Sequence, residues 1–166
     1  MNIVLIGYRG TGKSTVGRQL AARLGRVLVS TDEEIVKRAQ RTIPEIVSQE
    51  GWEYFRDLES EICSEIASRD QLVVDTGGGA ILRAQNVEAL KANGTVFWLT
   101  ASVETIARRI GSGNQRPSLT GTKSFVDEIQ DVLRERTPKY QAAADHVIVT
   151  DGRSTNQLME TVLALV

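Results

Sequence analysis

Gly7, Gly12, Lys13 and Ser14 stand at the fixed positions of G-x-x-x-x-G-K-[ST] in the stretch GYRGTGKST. These residue types at this spacing make a phosphate-binding loop, the P-loop. Glycines let successive backbone N–H groups turn inward around phosphate oxygens without Cβ clashes. A helix beginning at the loop adds the partial positive charge of its N-terminus. Lys13 would reach the β- and γ-phosphates, and the Ser14 hydroxyl would ligate Mg²⁺. The motif needs a strand before it and a helix after it. The apolar run ending at Ile6 supplies the first. The amphipathic run Lys13, Val16, Leu20, Leu24, stopping at Gly25, supplies the second. The alternative is a glycine-rich turn that binds nothing.

Other residues with chemical potential follow apolar runs or carry cations. STDEE places Asp32 after a short apolar run. It is a candidate catalytic acid or base. It is equally a first-turn acid favoured by a helix dipole, with Ser30 or Thr31 as the cap and Glu33 or Glu34 closing a capping box. DTGGGA places Asp75 at the end of an apolar run far downstream of the loop, the position of a Walker B aspartate. Gly77, Gly78 and Gly79 follow it. Three consecutive glycines weaken order and are hard to justify structurally, but they make sense where a ligand must approach bare backbone; the alternative is a plain tight turn. Arg56, Arg116 and Arg136 each read alone as surface cations, and Arg136 also as a complement to a helix C-terminus. Taken with the loop, they suggest a second anionic ligand, because the planar guanidinium binds carboxylate or phosphate bidentately.

The elements that must position these residues alternate regularly. Apolar, β-branched runs fall at 2–6, 27–30, 72–75, 95–99 and 146–150. Helical periodicity fills 13–24, 33–38, 43–49, 53–68, 86–92, 103–110, 124–136 and 154–165. Strands apolar on both faces and alternating with helices predict an α/β fold, a parallel sheet covered on both sides. In such sheets ligands bind at the carboxyl ends of the strands, where the candidates above lie. The least regular stretch, GSGNQRPSLTGT, predicts a functional lid over approximately 111–122.

Composition narrows the partners. A chain of 166 residues with 41% hydrophobic content suggests one domain spanning 1–166. With 20 basic against 21 acidic residues there is no broad basic field, so nucleic acid is not expected as a main partner. No apolar stretch approaches the roughly 20 residues of a membrane span, and the opening residues read as a strand rather than a cleaved leader. Cys63, the single cysteine, can form no internal disulfide, which fits a reducing cytoplasm. It reads as a small residue on a helix face, not a nucleophile. His146, the single histidine, opens an apolar run and reads as a strand-end residue. A structural zinc site is not expected.

Six ordered motifs, collinear over nearly the whole chain, resemble the shikimate kinase family: GYRGTGKST, TDEEI, GWEYFRDLE, TGGGA, NQRPSL and RTPKY. The resemblance implies a three-layer P-loop fold, with a five-stranded parallel sheet in the order 2-3-1-4-5 and a mobile lid. It implies ATP and shikimate as ligands, Mg²⁺ as cofactor, a monomer, and a shikimate-binding helical segment over approximately 32–60. Gly7, Gly10, Thr11, Gly12, Lys13, Ser14 and Thr15 would bind the nucleotide phosphates, and Arg109 would lie against the adenine. Arg56 and Arg136 would clamp the shikimate carboxylate. Asp32 would hold the ring hydroxyls and accept a proton from the 3-hydroxyl. Gly77, Gly78 and Gly79 would allow close approach to the ring. Arg116 would reach the transferring phosphoryl group as the lid closes.

One departure stands out. The family's D-x-D is here Ser30–Thr31–Asp32, so the first aspartate, used near Mg²⁺, is missing. Asp75 stands where the family often has a small or neutral residue. The carboxylate has either moved to a neighbouring strand, with Asp75 holding the Mg²⁺ water shell, or been lost, leaving a weakened metal site. The expected activity is phosphorylation of shikimate by ATP. The rivals are a related P-loop kinase of another small hydroxy acid such as gluconate, and a nucleotide-binding module without catalysis.

Overall fold

The structure, a computed structural model, describes residues 1–111 and 125–166. Five strands, β1 (Asn2–Ile6), β2 (Val27–Ser30), β3 (Leu72–Asp75), β4 (Gly94–Thr100) and β5 (His146–Val149), form a parallel sheet in the order β2-β3-β1-β4-β5. The described helices are α1 (Lys13–Leu24), α2 (Thr31–Ala39), α3 (Ile43–Glu50), α4 (Trp52–Ala67), α5 (Ala84–Ala92), α6 (Val103–Ile110), α7 (Phe125–Ala143) and α8 (Thr155–Leu163). This is the three-layer architecture and strand order that the motifs imply.

Central strand β1 shows why the sheet is covered on both faces. Its side chains alternate, as strand geometry requires. Val4 and Ile6 pack with Ile35 of α2, Ile46 of α3 and Phe55 and Ile62 of α4. Ile3 and Leu5 pack on the other side with Val16 and Leu20 of α1 and Leu158 and Val162 of α8. A smaller third core joins Tyr8, just after β1, to Ile106 of α6 and Ile129 and Val132 of α7.

Element ends differ from the sequence expectation where caps and packing intervene. Helix α2 begins at Thr31 rather than 33, because the Ser30 hydroxyl accepts the Glu33 N–H at 3.2 Å. The reciprocal capping box forms instead on α3, between Thr42 and Glu45, and on α8, between Ser154 and Gln157. Helix α7 runs on to Ala143, through Pro138, where an end at 136 is expected. Proline removes one helix bond and crowds the carbonyl four residues back. The turn beyond it buries Tyr140 and Ala143, and that packing outweighs the loss. A 3₁₀ turn at Ala80–Leu82, unforeseen in the sequence, follows the glycine triplet.

The two residues set aside as structural are so. His146 stacks on Phe97 with ring centroids 5.1 Å apart. Cys63 is fully buried on α4, and burial, with Glu59 nearby, pushes its thiol up to about 12. Such a thiol is no nucleophile at neutral pH. Among the described residues, no helix is long and apolar enough to cross a membrane.

Candidate active site

The carboxyl ends of β1, β2 and β3 converge on a cleft of about 670 Å³. Its floor is the loop after β1. Gly7 has φ +147°, and a Cβ there would lie 2.4 Å from the Leu99 carbonyl oxygen of neighbouring β4, so only glycine fits. Gly10 and Gly12 also have positive φ, and Gly12 leads directly into α1. Thr11 is buried and its hydroxyl donates to the Tyr8 carbonyl at 2.8 Å. The ring of Tyr8 sits in the small core beneath α6 and α7, which anchors the loop from below.

Lys13, the first residue of α1, is buried and turns back over this loop. Its Nζ donates to the Gly7 carbonyl at 2.7 Å and to the Tyr8 carbonyl at 3.0 Å. Ser14 and Thr15 face the cleft, and the Ser14 hydroxyl donates to Asp75 Oδ2 at 2.5 Å. Asp75 is therefore joined to the phosphate-binding loop. Burial pushes its carboxyl above the usual range, against the pull of Lys13 and the Ser14 hydroxyl. On the sheet, Asp75 is the direct register partner of Ser30, so both ends of the family's altered pattern meet at one spot.

Asp32, in the first turn of α2, lines the same cleft. Its neighbour Thr31 is fully buried and accepts the Gly77 N–H at 2.8 Å, tying the start of α2 to the glycine triplet. The triplet then divides. A Cβ on Gly77 would meet Asp32 Oδ1 at 2.6 Å, and one on Gly79 would meet Arg56 Nη2 at 2.4 Å. These two glycines make room for the site's own side chains. A Cβ on Gly78 would find its nearest neighbours, Arg136 Nη1 and the Gly7 carbonyl, at an ordinary 3.6 Å. Gly78 is the member whose bareness the fold itself does not require.

Arg56 and Arg136 are only 9% and 8% exposed, which excludes the surface reading of each. Arg136 lies within α7, not at a helix end, which removes the dipole explanation as well. Arg56 Nη1 donates to Glu59 Oε1 at 2.9 Å, and its guanidinium lies over the rings of Trp52 and Phe55. Fully buried Glu59 was missed by the sequence reading, although a carboxylate three residues after an arginine on one helix is a readable signal. Arg9 was missed too. It lines the cleft from a variable position of the loop motif, which no pattern specifies. Arg109 reaches the loop from α6, donating to the Gly10 carbonyl at 3.2 Å and the Thr150 hydroxyl at 3.0 Å. Arg116 and nearly all of the expected lid lie outside the described residues.

Two oxygen donors, the Ser14 hydroxyl and the Asp75 carboxylate, suit a hard cation that keeps several waters and shares substrate phosphates. Among the described residues, no cluster of three or more His, Cys, Asp or Glu side chains forms a protein cage for a metal. The arrangement can thus receive a phosphate chain on the loop, with Asp32 beside it and two buried guanidinium groups behind the glycine triplet.

Comparison with known proteins identifies the family. The family model for shikimate kinase matches residues 9–166. A shikimate kinase of Nitratidesulfovibrio vulgaris is 47% identical over 153 residues, covering 90% of this chain and 87% of the relative. One from Syntrophus aciditrophicus is 43% identical, covering 98% and 89%. The solved structure of the Acinetobacter baumannii shikimate kinase in complex with shikimate superposes with a TM-score of 0.94 at 39% identity, covering 99% of this chain and 91% of that one. From its residues, its sheet and these relatives alike, the chain belongs to the shikimate kinase family.

Proposed function

We propose that the chain is an active, cytoplasmic, monomeric kinase that transfers the γ-phosphoryl group of ATP to the 3-hydroxyl of shikimate. The observation that carries this reading is the burial of Arg56 and Arg136 against a glycine triplet that also abuts Asp32. That arrangement provides for a small, hydroxylated, anionic acceptor next to a phosphate-binding loop. The deciding experiment is a coupled assay for ADP release with and without shikimate, run beside gluconate and other small hydroxy acids. Release with another acid alone would reassign the substrate. No acid-dependent release would favour the non-catalytic module, which the Ser30 departure makes a real competitor.

In this reading the phosphates of ATP rest on the N–H groups of Gly10, Gly12, Lys13, Ser14 and Thr15, and Arg109 faces the adenine. Arg56 and Arg136 hold the carboxylate. Asp32 orients the ring hydroxyls and takes the proton of the attacking one. Arg116, assigned from its motif, stabilises the transferring group. Phosphoryl transfer needs little covalent chemistry from the protein, so these groups act by positioning and by charge. Mg²⁺, when bound, neutralises charge on the phosphate oxygens.

The clamp makes a prediction. Arg136→Lys keeps the charge but loses the fork. Shikimate binding should weaken by roughly 1.5–3 kcal/mol, the worth of hydrogen bonds to a charged group, while ATP binding stays the same. Calorimetry measures both, and an intact shikimate affinity would remove Arg136 from the clamp.

Asp75 makes another, with two opposed readouts. If it holds the Mg²⁺ waters in place of the missing aspartate, Asp75→Asn should cost about 10–100-fold in activity and raise the Mg²⁺ requirement. Stability should move the other way. A carboxyl whose folded pKa is raised holds its proton more tightly in the fold than in the unfolded chain. Its contribution to stability is present at low pH and lost as pH rises through the folded value, so the ionised group costs stability at neutral pH. Without nucleotide or metal, the Asn variant should melt no lower than the parent. Ser30→Asp added to it should recover part of the activity, because Asp caps α2 as well as Ser does and returns a carboxylate beside position 75. An unchanged Mg²⁺ titration curve for Asp75→Asn would falsify the exchange.

A further inference from the structure

We infer that Thr31 is a positioning residue for the proton-transfer step: its buried hydroxyl holds the glycine triplet at a fixed distance from Asp32. The inference rests on the reading of Asp32 as the base given above.

Strand β3 lies between β1 and β2 in the sheet. Its last residue, Asp75, has Leu5 of β1 and Ser30 of β2 as register partners. Beyond that point the chain leaves the sheet and becomes the loop that carries the triplet. It keeps hold of both neighbours through hydroxyl groups. On one side the Thr76 hydroxyl donates to the Leu5 carbonyl at 2.8 Å, and the Thr76 N–H reaches the same oxygen at 3.2 Å. On the other side the Gly77 N–H donates to Thr31 Oγ1 at 2.8 Å. Strand β2 has already turned into α2 at Thr31, so a side chain supplies the acceptor where the strand has run out. Thr31 is fully buried, which shields this bond from solvent.

What the bond sets is the gap between α2 and the triplet. Asp32 follows Thr31 directly, in the first turn of α2. A Cβ on Gly77 would lie 2.6 Å from Asp32 Oδ1 and 3.0 Å from Glu59 Oε2. The bare Gly77 Cα is thus seated between two carboxylates, and that of Asp32 rests against it. The Thr31–Gly77 bond ties the two segments one residue from that contact. Gly77 is itself buried. Without the hydroxyl its N–H must move to find another acceptor or stay unpaired at a cost. Either outcome loosens the surface on which the base rests. General-base catalysis depends on hydrogen-bond reach to the proton, so a shift there falls on the chemical step.

Thr31→Val and Thr31→Ser separate the hydroxyl from the packing. Valine keeps the branched shape and loses the acceptor. Serine keeps the acceptor and loses a buried methyl group. Thr31→Val should lower kcat about 10- to 100-fold, the scale of a small misplacement of reacting groups, with the ATP KM near the parent value. Thr31→Ser should keep kcat within a few-fold of the parent and melt at a lower temperature. Thr31→Ala loses hydroxyl and methyl together. It should lose kcat as Thr31→Val does, and it decides the matter if Thr31→Val fails to fold. In an Asp32→Asn background, Thr31→Val should add little, since the hydroxyl acts through Asp32. A parent-like kcat for the variants lacking the hydroxyl, a Thr31→Ser enzyme with the same kcat loss, or losses that multiply in the double variant would each overturn the inference. If Asp32→Asn itself leaves kcat near the parent value, the base reading fails and this inference goes with it. If Asp32→Asn lowers kcat and Thr31→Val does not, Asp32 stands as the base and only the role of Thr31 falls.

Discussion

Asp32→Asn should lower kcat for shikimate phosphorylation by about 10²–10⁴-fold, the span attributed to a positioned general base. Asn keeps the size of the side chain and one acceptor oxygen, so it can still orient a hydroxyl, but it cannot take a proton. Shikimate KM should therefore change far less than kcat, the pattern expected when an interaction of the transition state is removed. The fold should barely notice. Ser30, not Asp32, caps α2, and Glu33 and Glu34 remain in its first turn. Loss of one first-turn acid costs about 0.3–1 kcal/mol. Steady-state kinetics at saturating ATP, together with a melting curve, separate the two roles. A kcat within a few-fold of the parent would leave Asp32 as a helix-dipole acid and nothing more.

Lys13→Met should be nearly as damaging, and in two ways at once. Met matches the length of the lysine stem and carries no charge. Losing one donor to the developing charge of a transition state costs roughly 10²–10³-fold in kcat. Lys13 also donates to the carbonyls of Gly7 and Tyr8. Leaving a buried acceptor without its partner costs about 1–3 kcal/mol. The variant should therefore melt several degrees lower as well as turn over slowly. Adding ATP should stabilise it less than it stabilises the parent, because ligand stabilisation follows affinity. Equal ATP-induced shifts in melting temperature for the two proteins would show that Lys13 serves the loop and not the nucleotide.

Much of this was legible in the chain itself. The sheet was readable because its strands are apolar on both faces, as Val4 and Ile6 against Ile3 and Leu5 show. The loop was readable because phosphate chemistry fixes residue types at fixed spacing. Most of what escaped was set by contacts between distant segments. Nothing local to Pro138 reveals that α7 continues, since the reason is the burial of Tyr140 and Ala143 beneath other elements. The arginines looked like surface residues because charge alone does not disclose a buried partner, and Glu59 lies a turn away on α4. The glycine triplet was read as bare for a ligand throughout. The structure shows that Gly77 and Gly79 answer first to Asp32 and Arg56, and that distinction exists only in three dimensions.

The pairing of Ser30 with Asp75 bears on how motifs should be compared between relatives. A pattern scan reads the chain as a line and scores each column by itself. On that line the two positions are remote, and a serine in the aspartate column counts as a defect. On the sheet they face each other across one rung of the ladder, and a carboxylate at either end of that rung lies at the same end of the strands. If Asp75 supplies the missing charge, what such a site constrains is the number of negative charges at a location, not the column that supplies them. Where a catalytic column looks lost, the neighbouring strand's partner residue is therefore the first place to search for its replacement. A change at one end of the rung should also alter which residues are tolerated at the other.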